Sequence, residues 1–264
     1  MKIGIFDSGL GGLIIARAIK KAMPEYDYVY LGDTKRVPYG NRSHEAVFEF
    51  TKEAVDYLFK KENCAIIIIA CNTSSARALK RIQQEYLPDN FPDRKVIGVL
   101  IPTAEESIKH NRVGILGTIG TIDSNTFADE IKKLDITTKV FQKAAPMLVP
   151  LAEEGEKFLA EIFIFKYLEL FSKNKLDAVV LGCTHYPFFK KEFRKSLDKN
   201  VKLISQDEII PKKLKEYFKK HPEIVKKLSK KGKMKILLTD ITKNIEKLSK
   251  KWFGKEIELE LIKL

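Results

Sequence analysis

The chain lacks any hydrophobic run long enough to cross a bilayer. Its most continuous apolar stretch, from Cys64 to Cys71, is far shorter than the roughly 20 residues that a transmembrane helix needs. Asp7 and several glycines stand where a signal peptide would need an unbroken apolar segment. Three cysteines in 264 residues are too few for a disulfide scaffold. We therefore expect a cytoplasmic protein that has no membrane partner.

The composition is typical of a globular protein. Hydrophobic residues make up 44% of the sequence and charged residues 31%, a balance that excludes general disorder. At about 150 residues per domain, the length allows two ordinary domains or one large one. The chain is therefore long enough to bury a substantial core.

The net charge of +13 is unevenly distributed. Residues 1–189 hold 25 basic and 24 acidic side chains, whereas residues 190–264, the basic tail, hold 23 basic and 11 acidic ones. In the basic tail the lysines occur as pairs, arginine is scarce, and no aromatic residues are interleaved to stack on bases. A solvated, lysine-rich helical face explains this pattern, so we do not expect a nucleic-acid partner.

Short apolar runs alternate with longer amphipathic stretches along the whole chain. Strands are predicted at residues 3–7, 28–32, 65–70, 96–100, 113–117, 138–142, 178–182, 201–204, 235–239 and 257–262. Helices are predicted at residues 11–23, 44–60, 73–85, 124–134, 156–171 and 188–197. Several strands are apolar on consecutive residues, as is typical of parallel strands that helices cover on both faces. The pattern therefore predicts an α/β fold with open parallel sheets.

A weak internal repeat divides the chain into two halves. In the first half, 64 residues separate Asp7, at the end of a strand, from Cys71. In the second half, 66 residues separate Gly117, also at the end of a strand, from Cys183. Ligands bind at the carboxyl ends of the strands in open α/β sheets. We therefore predict two pseudo-symmetric parallel-sheet domains with an active-site cleft between them.

The repeat also gives the domain boundaries. We predict a first domain from residues 1–95 plus 207–264, and a second domain from residues 96–206. The strands predicted near the end of the basic tail are too few for a third domain. We therefore expect them to return to the first domain.

Cys71 and Cys183 are the candidates for chemistry. A helix that begins after each of them can favour the thiolate, because the helix start carries a partial positive charge. A disulfide is disfavoured in a cytoplasmic protein, a zinc site lacks a CxxC pair, and a single nucleophile leaves the second cysteine unexplained. Two-base proton transfer uses both, since one thiolate removes a proton from carbon and the opposite thiol delivers another. Cys64 is interpreted as a buried, inert thiol.

Short polar side chains follow several of the strands. They can donate hydrogen bonds to a substrate carboxylate and so stabilise a carbanion, and they are Ser8, Asn72, Thr73, Thr118, Thr121 and Thr184. The glycines of residues 9–12 lack the GxGxxG spacing, and the chain has no GK[ST] loop. No lysine is distinguished as a pyridoxal phosphate site, and no ligand spacing fits a metal. We therefore expect neither a cofactor nor a metal ion.

Six ordered motifs resemble those of the glutamate racemase family, nearly from end to end. They are Asp7-Ser8-Gly9-Leu10-Gly11-Gly12, Gly32-Asp33-Thr34 with Val37-Pro38-Tyr39-Gly40, Ala70-Cys71-Asn72-Thr73, Leu116-Gly117-Thr118, Val149-Pro150-Leu151-Ala152-Glu153-Glu154-Gly155, and Leu181-Gly182-Cys183-Thr184-His185-Tyr186-Pro187. The resemblance implies a cofactor-independent isomerase that interconverts L- and D-glutamate and supplies D-glutamate for bacterial peptidoglycan. We also expect a homodimer.

The resemblance also implies roles for individual residues. Cys71 would act on D-glutamate and Cys183 on L-glutamate, while Asp7 and His185 assist the thiols and Glu153 lies near the site. The implied substrate contacts are Asp7, Ser8, Tyr39, Gly40, Asn72, Thr73, Thr184 and His185.

Two other functions stay open at this point. An aspartate racemase would use the same two-cysteine chemistry on a substrate one methylene shorter, a difference worth only about 1–3 kcal/mol of discrimination. The non-enzymatic alternative is a basic protein that binds nucleic acid or DNA gyrase through its tail, since some glutamate racemases inhibit gyrase. The intact motifs around both cysteines favour the enzyme.

Overall fold

The framework of the protein is two separate parallel sheets. The computed structural model describes residues 1–254 and 257–264, and within them the strands are β1 (Lys2–Asp7), β2 (Tyr28–Gly32), β3 (Cys64–Ile69), β4 (Lys95–Gly98), β5 (Arg112–Gly117), β6 (Lys139–Ala144), β7 (Ala178–Gly182), β8 (Lys202–Ser205), β9 (Met234–Leu238) and β10 (Leu259–Leu261). One sheet has the order β10-β9-β2-β1-β3-β4 and the other β6-β5-β7-β8. All neighbouring strands run parallel. The predicted α/β class is thus confirmed.

Helices connect the strands and cover the sheets. They are α1 (Gly12–Ala22), α2 (His44–Lys60), α3 (Asn72–Arg77), α4 (Leu79–Arg81), α5 (Leu87–Asn90), α6 (Leu100–Ser107), α7 (Ile119–Asp123), α8 (Thr126–Leu134), α9 (Leu148–Glu154), α10 (Lys157–Glu169), α11 (Lys190–Ser196), α12 (Gln206–Lys220), α13 (Pro222–Val225) and α14 (Lys243–Trp252). None of these helices, within the residues that the structure describes, is long and apolar enough to span a membrane.

Strand β3 explains why the central strands are apolar on consecutive residues. All six of its residues are buried. Ile66 and Ile68 pack into a core on one face of the sheet, whereas Ile67 and Ile69 pack into a separate core on the other. Side chains alternate between the two faces of a strand, so a strand covered on both faces must be apolar at every position.

The basic tail completes the first sheet. Strand β9 pairs with β2, and β10 pairs with β9, so both strands belong to the sheet that contains β1. Strand β4 pairs with β3 along all four of its residues. The boundary predicted between residues 95 and 96 therefore falls inside β4. We propose the same two-domain division with this boundary moved to the end of β4.

One predicted helix is interrupted. Residues 73–85 were predicted as one helix, but they form α3, α4 and then a π-helical turn, Ile82–Tyr86, that leads into α5. Pro88 lies within α5, has no N–H group, and its ring displaces the carbonyl group of Gln84. A wider π-helical turn accommodates such a displacement. The proline therefore accounts for the π-helical turn, whereas the first interruption lies at Ala78, between α3 and α4.

Helices α6 and α9 are among those that were not predicted. Helices α6 and α9 contain Pro102 and Pro150, which favour a loop in a sequence pattern. Each proline lies in the first turn of its helix, where the missing N–H group has no helical partner in any case. Proline is therefore compatible with both helices.

Candidate active site

A cavity of about 390 Å³ lies between the loops that follow the strands of the two sheets. The predicted site residues that line it are Ser8, Tyr39, Gly40, Cys71, Asn72, Thr73, Thr118, Glu153, Cys183, Thr184 and His185. Asp7 and Thr121 are predicted residues that do not line it. Its wall also contains residues outside the predicted set, namely Val37, Pro38, Asn41, Pro146, Met147, Val149 and Pro150. The cavity thus brings residues of both halves of the chain together.

Cys71 and Cys183 occupy corresponding places in the two sheets. Cys71 lies two residues beyond the end of β3, and Cys183 directly follows β7. Both thiols are free, buried and part of the cavity wall. Cys64 is also free but lies at the opposite end of β3, where burial raises its pKa to about 12. The cavity therefore holds one cysteine from each sheet.

Cys71 lies in a buried, hydroxyl-rich environment. It occupies the N-cap position of α3, and its Sγ accepts a hydrogen bond from the Ser74 N–H at 3.5 Å. The thiol donates to Ser8 Oγ at 3.3 Å. Burial, reinforced by the negative charge of Asp7, raises the pKa of Cys71 to about 11, although hydrogen bonds from Ser8 and Ser74 oppose this rise. Cys71 is therefore a protonated thiol at neutral pH.

Asp7 lies behind the cavity and joins the two halves of the site. Its carboxylate accepts a hydrogen bond from the Gly9 N–H at 3.0 Å and another from Thr184 Oγ1 at 3.2 Å. Burial raises the pKa of Asp7, while the charge of His185 and these hydrogen bonds lower it. Asp7 follows the first sheet and Thr184 the second, so this contact fixes one half against the other.

Cys183 has a different partner. Its Sγ lies 3.8 Å from Nδ1 of His185, and Nε2 of His185 lies 3.0 Å from Oε1 of Glu153. Burial alone would lower the pKa of His185, but hydrogen bonds and negative charge from Cys183 and Glu153 raise it to about 10. The three side chains form a line in which an imidazolium can stabilise the Cys183 thiolate and Glu153 orients the ring.

The basic tail contributes to this half of the site. The ring of Trp252, in α14, meets the His185 ring edge-on, with their centres 5.4 Å apart. Trp252 was not predicted as a site residue, although it is the only tryptophan in the sequence. The tail is therefore not solely a solvated, lysine-rich face.

Three threonines form a hydroxyl cluster across the two halves. Thr73 Oγ1 lies 2.9 Å from Thr118 Oγ1 and 3.3 Å from Thr121 Oγ1, and the two latter atoms are 3.0 Å apart. Thr118 also caps α7, since its Oγ1 accepts a hydrogen bond from the Thr121 N–H at 3.2 Å. Thr121 therefore acts from behind the cavity by holding the two threonines that line it.

Asn72 is held by a residue that sequence reasoning missed. Its Nδ2 donates to Oε1 of Gln206 at 2.8 Å, and Gln206 Nε2 donates to Asn72 Oδ1 at 2.7 Å and to Thr103 Oγ1 at 3.2 Å. All three side chains are buried. The reciprocal amide pair fixes which way the Asn72 amide faces. Because 134 residues separate Asn72 from Gln206, no local sequence signal could have revealed the pair.

Two glycines permit close approach at the cavity. A Cβ atom on Gly40 would lie 2.9 Å from the Thr118 Cβ, and one on Gly11 would lie 2.5 Å from Thr184 Oγ1 and from His185 Nδ1. Any larger residue at Gly11 would displace the Thr184 and His185 side chains. The glycines near the start of the chain therefore serve packing at the site.

Tyr39 anchors the loop that carries Gly40. Its hydroxyl donates to Asp33 Oδ2 at 2.5 Å, and burial raises the pKa of Tyr39 above its usual range. Thr239, just beyond β9, donates to Asp33 Oδ1 at 2.8 Å. Asp33 therefore ties this wall of the cavity to the basic tail.

The site offers little to a metal ion. Within residues 1–254 and 257–264, no three His, Cys, Asp or Glu side chains are grouped so that they could hold one. The absence of a cofactor stays a prediction from the sequence.

Comparison with known proteins identifies relatives along the whole chain. A family model described as Asp/Glu/Hydantoin racemase matches residues 14–209. The glutamate racemase of Aquifex aeolicus is 39% identical over 98% of this chain and 96% of its own length. That of Sulfurihydrogenibium is 38% identical over 100% and 98%. The crystal structure of the Francisella tularensis glutamate racemase with D-glutamate superimposes with a TM-score of 0.89 at 31% identity, covering 99% of this chain and 97% of that one.

Proposed function

The chain belongs to the Asp/Glu/Hydantoin racemase family, and we propose that it interconverts L- and D-glutamate by two-base proton transfer at Cα. The observation that carries the proposal is the pair of cysteines in one cavity. They follow corresponding strands of two different sheets. Cys71 has hydroxyl neighbours and a raised pKa, whereas Cys183 lies beside the imidazole ring of His185. Such a pair supplies a base on one side of a carbon atom and an acid on the other.

From L-glutamate, the Cys183 thiolate takes the Cα proton, and the electron pair of that C–H bond stays on the substrate. The Cys71 thiol then donates its proton to the other face of Cα, and the product is D-glutamate. Cys183 ends as a thiol and Cys71 as a thiolate. The reverse reaction starts from that state. Before a second L-glutamate can be converted, Cys183 must lose its proton to solvent and Cys71 must gain one from solvent.

The carbanion is the difficult intermediate. A Cα–H group is a far weaker acid than a thiol, and each unit of pKa difference corresponds to about 1.36 kcal/mol. The cavity wall supplies donors for the carboxylate that shares the negative charge, among them Ser8, Asn72 and Thr73. Among the described residues that line the cavity, none is a lysine or arginine. Apart from the imidazolium of His185, neutral donors therefore carry this stabilisation.

Glutamate is favoured over aspartate because the full-length relatives named above are glutamate racemases. Optical rotation tests the choice directly. Pure L-glutamate should lose its rotation when the protein is added, and L-aspartate should lose it much more slowly. In deuterated water, deuterium should appear at Cα of the D-glutamate formed. Inversion without deuterium uptake, or loss of rotation with aspartate alone, contradicts the proposal.

D-glutamate made in the cytoplasm would supply peptidoglycan synthesis. This role predicts that loss of the gene makes a bacterium dependent on added D-glutamate. Growth without the supplement would contradict the role while leaving the chemistry intact. The lysines of the basic tail give no second activity of comparable support, and weak, salt-sensitive DNA binding is all that we expect of them.

A homodimer is also proposed, and helix α10 supports it. Its inner face buries Ala160, Ile164 and Leu168, yet its outer face exposes Phe158 by 75% and Phe165 by 62%. A helix that is apolar all round is normally covered on both faces. The double substitution F158S/F165S should convert a dimer into a monomer in light scattering, whereas the exposed K166S should not. A wild-type monomer overturns this part of the proposal.

A further inference from the structure

Ser74 carries an unpaired hydroxyl group in the interior. It lies in the first turn of α3, and its exposed fraction is 0%. Among the residues that the structure describes, its Oγ has no hydrogen-bond partner. Buried polar atoms are nearly always paired, so an unpaired one requires an explanation.

The neighbouring group is the Cys71 sulfur. The Ser74 N–H donates to Cys71 Sγ at 3.5 Å, which brings the start of the Ser74 side chain close to the same atom. The Ser74 side chain also lowers the pKa of Cys71, in opposition to burial and to the charge of Asp7, although its hydroxyl makes no hydrogen bond with any residue that the structure describes. The Ser74 hydroxyl is therefore a donor near the sulfur that is unpaired while Cys71 is a thiol and that a thiolate, which is a stronger acceptor, can engage.

We propose that Ser74 is a positioning residue for Cys71, with a hydroxyl that is unpaired beside the thiol and donates to the sulfur once the thiolate forms. The inference rests on the two-base function proposed above. When Cys71 protonates the substrate carbanion, its S–H bond breaks and the electron pair of that bond remains on sulfur. Ser8 can then reverse its role and donate, and Ser74 adds a second hydroxyl. The Ser74 proton stays on Ser74 throughout.

This arrangement favours the state that Cys71 otherwise resists. An unpaired hydroxyl raises the free energy of the thiol form, and a hydrogen bond lowers that of the thiolate form. Both effects bring the two forms of Cys71 closer in free energy. A group that must gain and lose a proton in every catalytic cycle works best when neither form is strongly preferred.

Ser75 provides a matched control on the same helix. It is also buried, but its hydroxyl donates to the Ile69 carbonyl oxygen at 2.9 Å and is therefore satisfied. Its N–H donates to the Cys71 carbonyl oxygen at 2.9 Å, but its hydroxyl makes no hydrogen bond to the Cys71 sulfur. Loss of its hydroxyl should leave the titration of Cys71 unchanged.

The test titrates Cys71 alone. In the full chain with C64S and C183S, Cys71 is the sole thiol, and the ultraviolet absorbance of its thiolate is followed as the pH is raised. Adding S74A should move the midpoint upward by about one pH unit, whereas adding S75A should not move it. Alkylation by iodoacetamide should slow only about threefold below the midpoint, because a more basic thiolate is also a better nucleophile.

A second pair of variants covers the case in which S74A folds poorly. S74T keeps a hydroxyl group, and S74V replaces it with a methyl group in a side chain of the same shape as threonine. The midpoint of the Cys71 titration should therefore be higher in S74V than in S74T. Equal midpoints in the two variants, or a shift in S75A as large as that in S74A, overturn the role of Ser74. If the wild-type protein racemises nothing, the proposed function is wrong, but the titration still decides what Ser74 does to Cys71.

Discussion

The Cys71 half and the Cys183 half of the cavity share a scaffold and differ in charge. Each cysteine follows the carboxyl end of a buried parallel strand in its sheet. Cys71 has hydroxyl neighbours and the negative charge of Asp7 nearby, and its pKa is raised to about 11. Cys183 faces His185, whose pKa is raised to about 10 and which is therefore a cation at neutral pH.

The difference is what two-base chemistry requires. A symmetric pair of thiols would lose its protons in two steps, and neither cysteine would be preferred as the base. Here the surroundings raise the pKa of Cys71 and place the His185 cation beside Cys183. The repeated fold places the thiols of Cys71 and Cys183 at corresponding positions. Their neighbours, Asp7 for Cys71 and His185 for Cys183, differ in charge.

The largest effect is expected from removing either cysteine. C71S and C183S should each reduce kcat/KM about 10²–10⁴-fold, because a serine hydroxyl is a far poorer acid and base than a thiol. C64S, at the far end of β3, is the control and should remain near wild type. Polarimetry in both directions measures the loss, which must be equal for the two enantiomers because their free energies are equal.

Deuterium exchange then distinguishes the halves. C71S retains Cys183 and should exchange the Cα proton of L-glutamate faster than that of D-glutamate, and C183S should do the reverse. Exchange of the same enantiomer by both variants would show that the cysteines do not face opposite sides of Cα. Similar losses of activity in C64S and the other two would also contradict their assignment.

Removing the charge of Glu153 should weaken only the Cys183 half. In E153Q the imidazolium loses a negative partner, so the pKa of His185 should fall by about one unit. Since the cation exists below that pKa, the alkaline limb of kcat/KM should move to lower pH, with about tenfold less activity there. The exposed neighbour provides the control variant E154Q. An alkaline limb that is the same in both variants contradicts the Cys183–His185–Glu153 line.

The same pair bears on folding stability. The pKa of His185 is about 10 in the folded protein and near 6.5 when unperturbed. A raised pKa means that this group stabilises the fold fully below about pH 6.5 and that the contribution is lost as the pH rises toward 10. Denaturant titrations across that range should therefore show a smaller loss of stability in H185Q than in the wild type.

Asp7 tests the other half. In D7N the negative charge beside Cys71 is gone, so the pKa of Cys71 should fall by up to about one unit. Thiolate absorbance in the C64S/C183S background measures it, and D198N on the exposed surface is the control. A midpoint that rises in D7N means that the hydrogen bonds of Asp7 matter more to Cys71 than its charge does.

The smallest effect on turnover is expected at the link between the halves. Q206L leaves the buried amide of Asn72 without partners, which should cost about 1–3 kcal/mol in the free energy of unfolding. KM should rise severalfold while kcat changes less, because Asn72 lines the cavity but neither accepts nor gives the Cα proton. The exposed Q84L should change neither quantity. A loss of kcat alone would contradict this role.

Local patterns carried much of the fold and part of the site. All the strands were predicted because apolar runs such as that of β3 reflect burial on both faces. Helices α6 and α9 were not predicted, because each contains a proline in its first turn and proline in a sequence also indicates a loop. The residues of the motifs meet in one cavity, and their catalytic roles stay predictions.

What sequence reasoning missed depends on distant packing. Gln206 reaches Asn72 across 134 positions, and Trp252 reaches His185 from the last helix. Ser74 lies inside a predicted helix, yet only the packed structure shows that its hydroxyl lacks a partner. Composition and periodicity report how a segment is buried, and they do not report which segments meet.

The order of strands has a consequence for synthesis on the ribosome. The sheet behind Cys183 is complete once residue 205 has emerged, whereas the sheet behind Cys71 needs β9 and β10, which are made later. Domains tend to fold as units while the chain is still growing. A nascent chain therefore holds an assembled Cys183 half before its partner closes, and the two cysteines meet only when translation is nearly over.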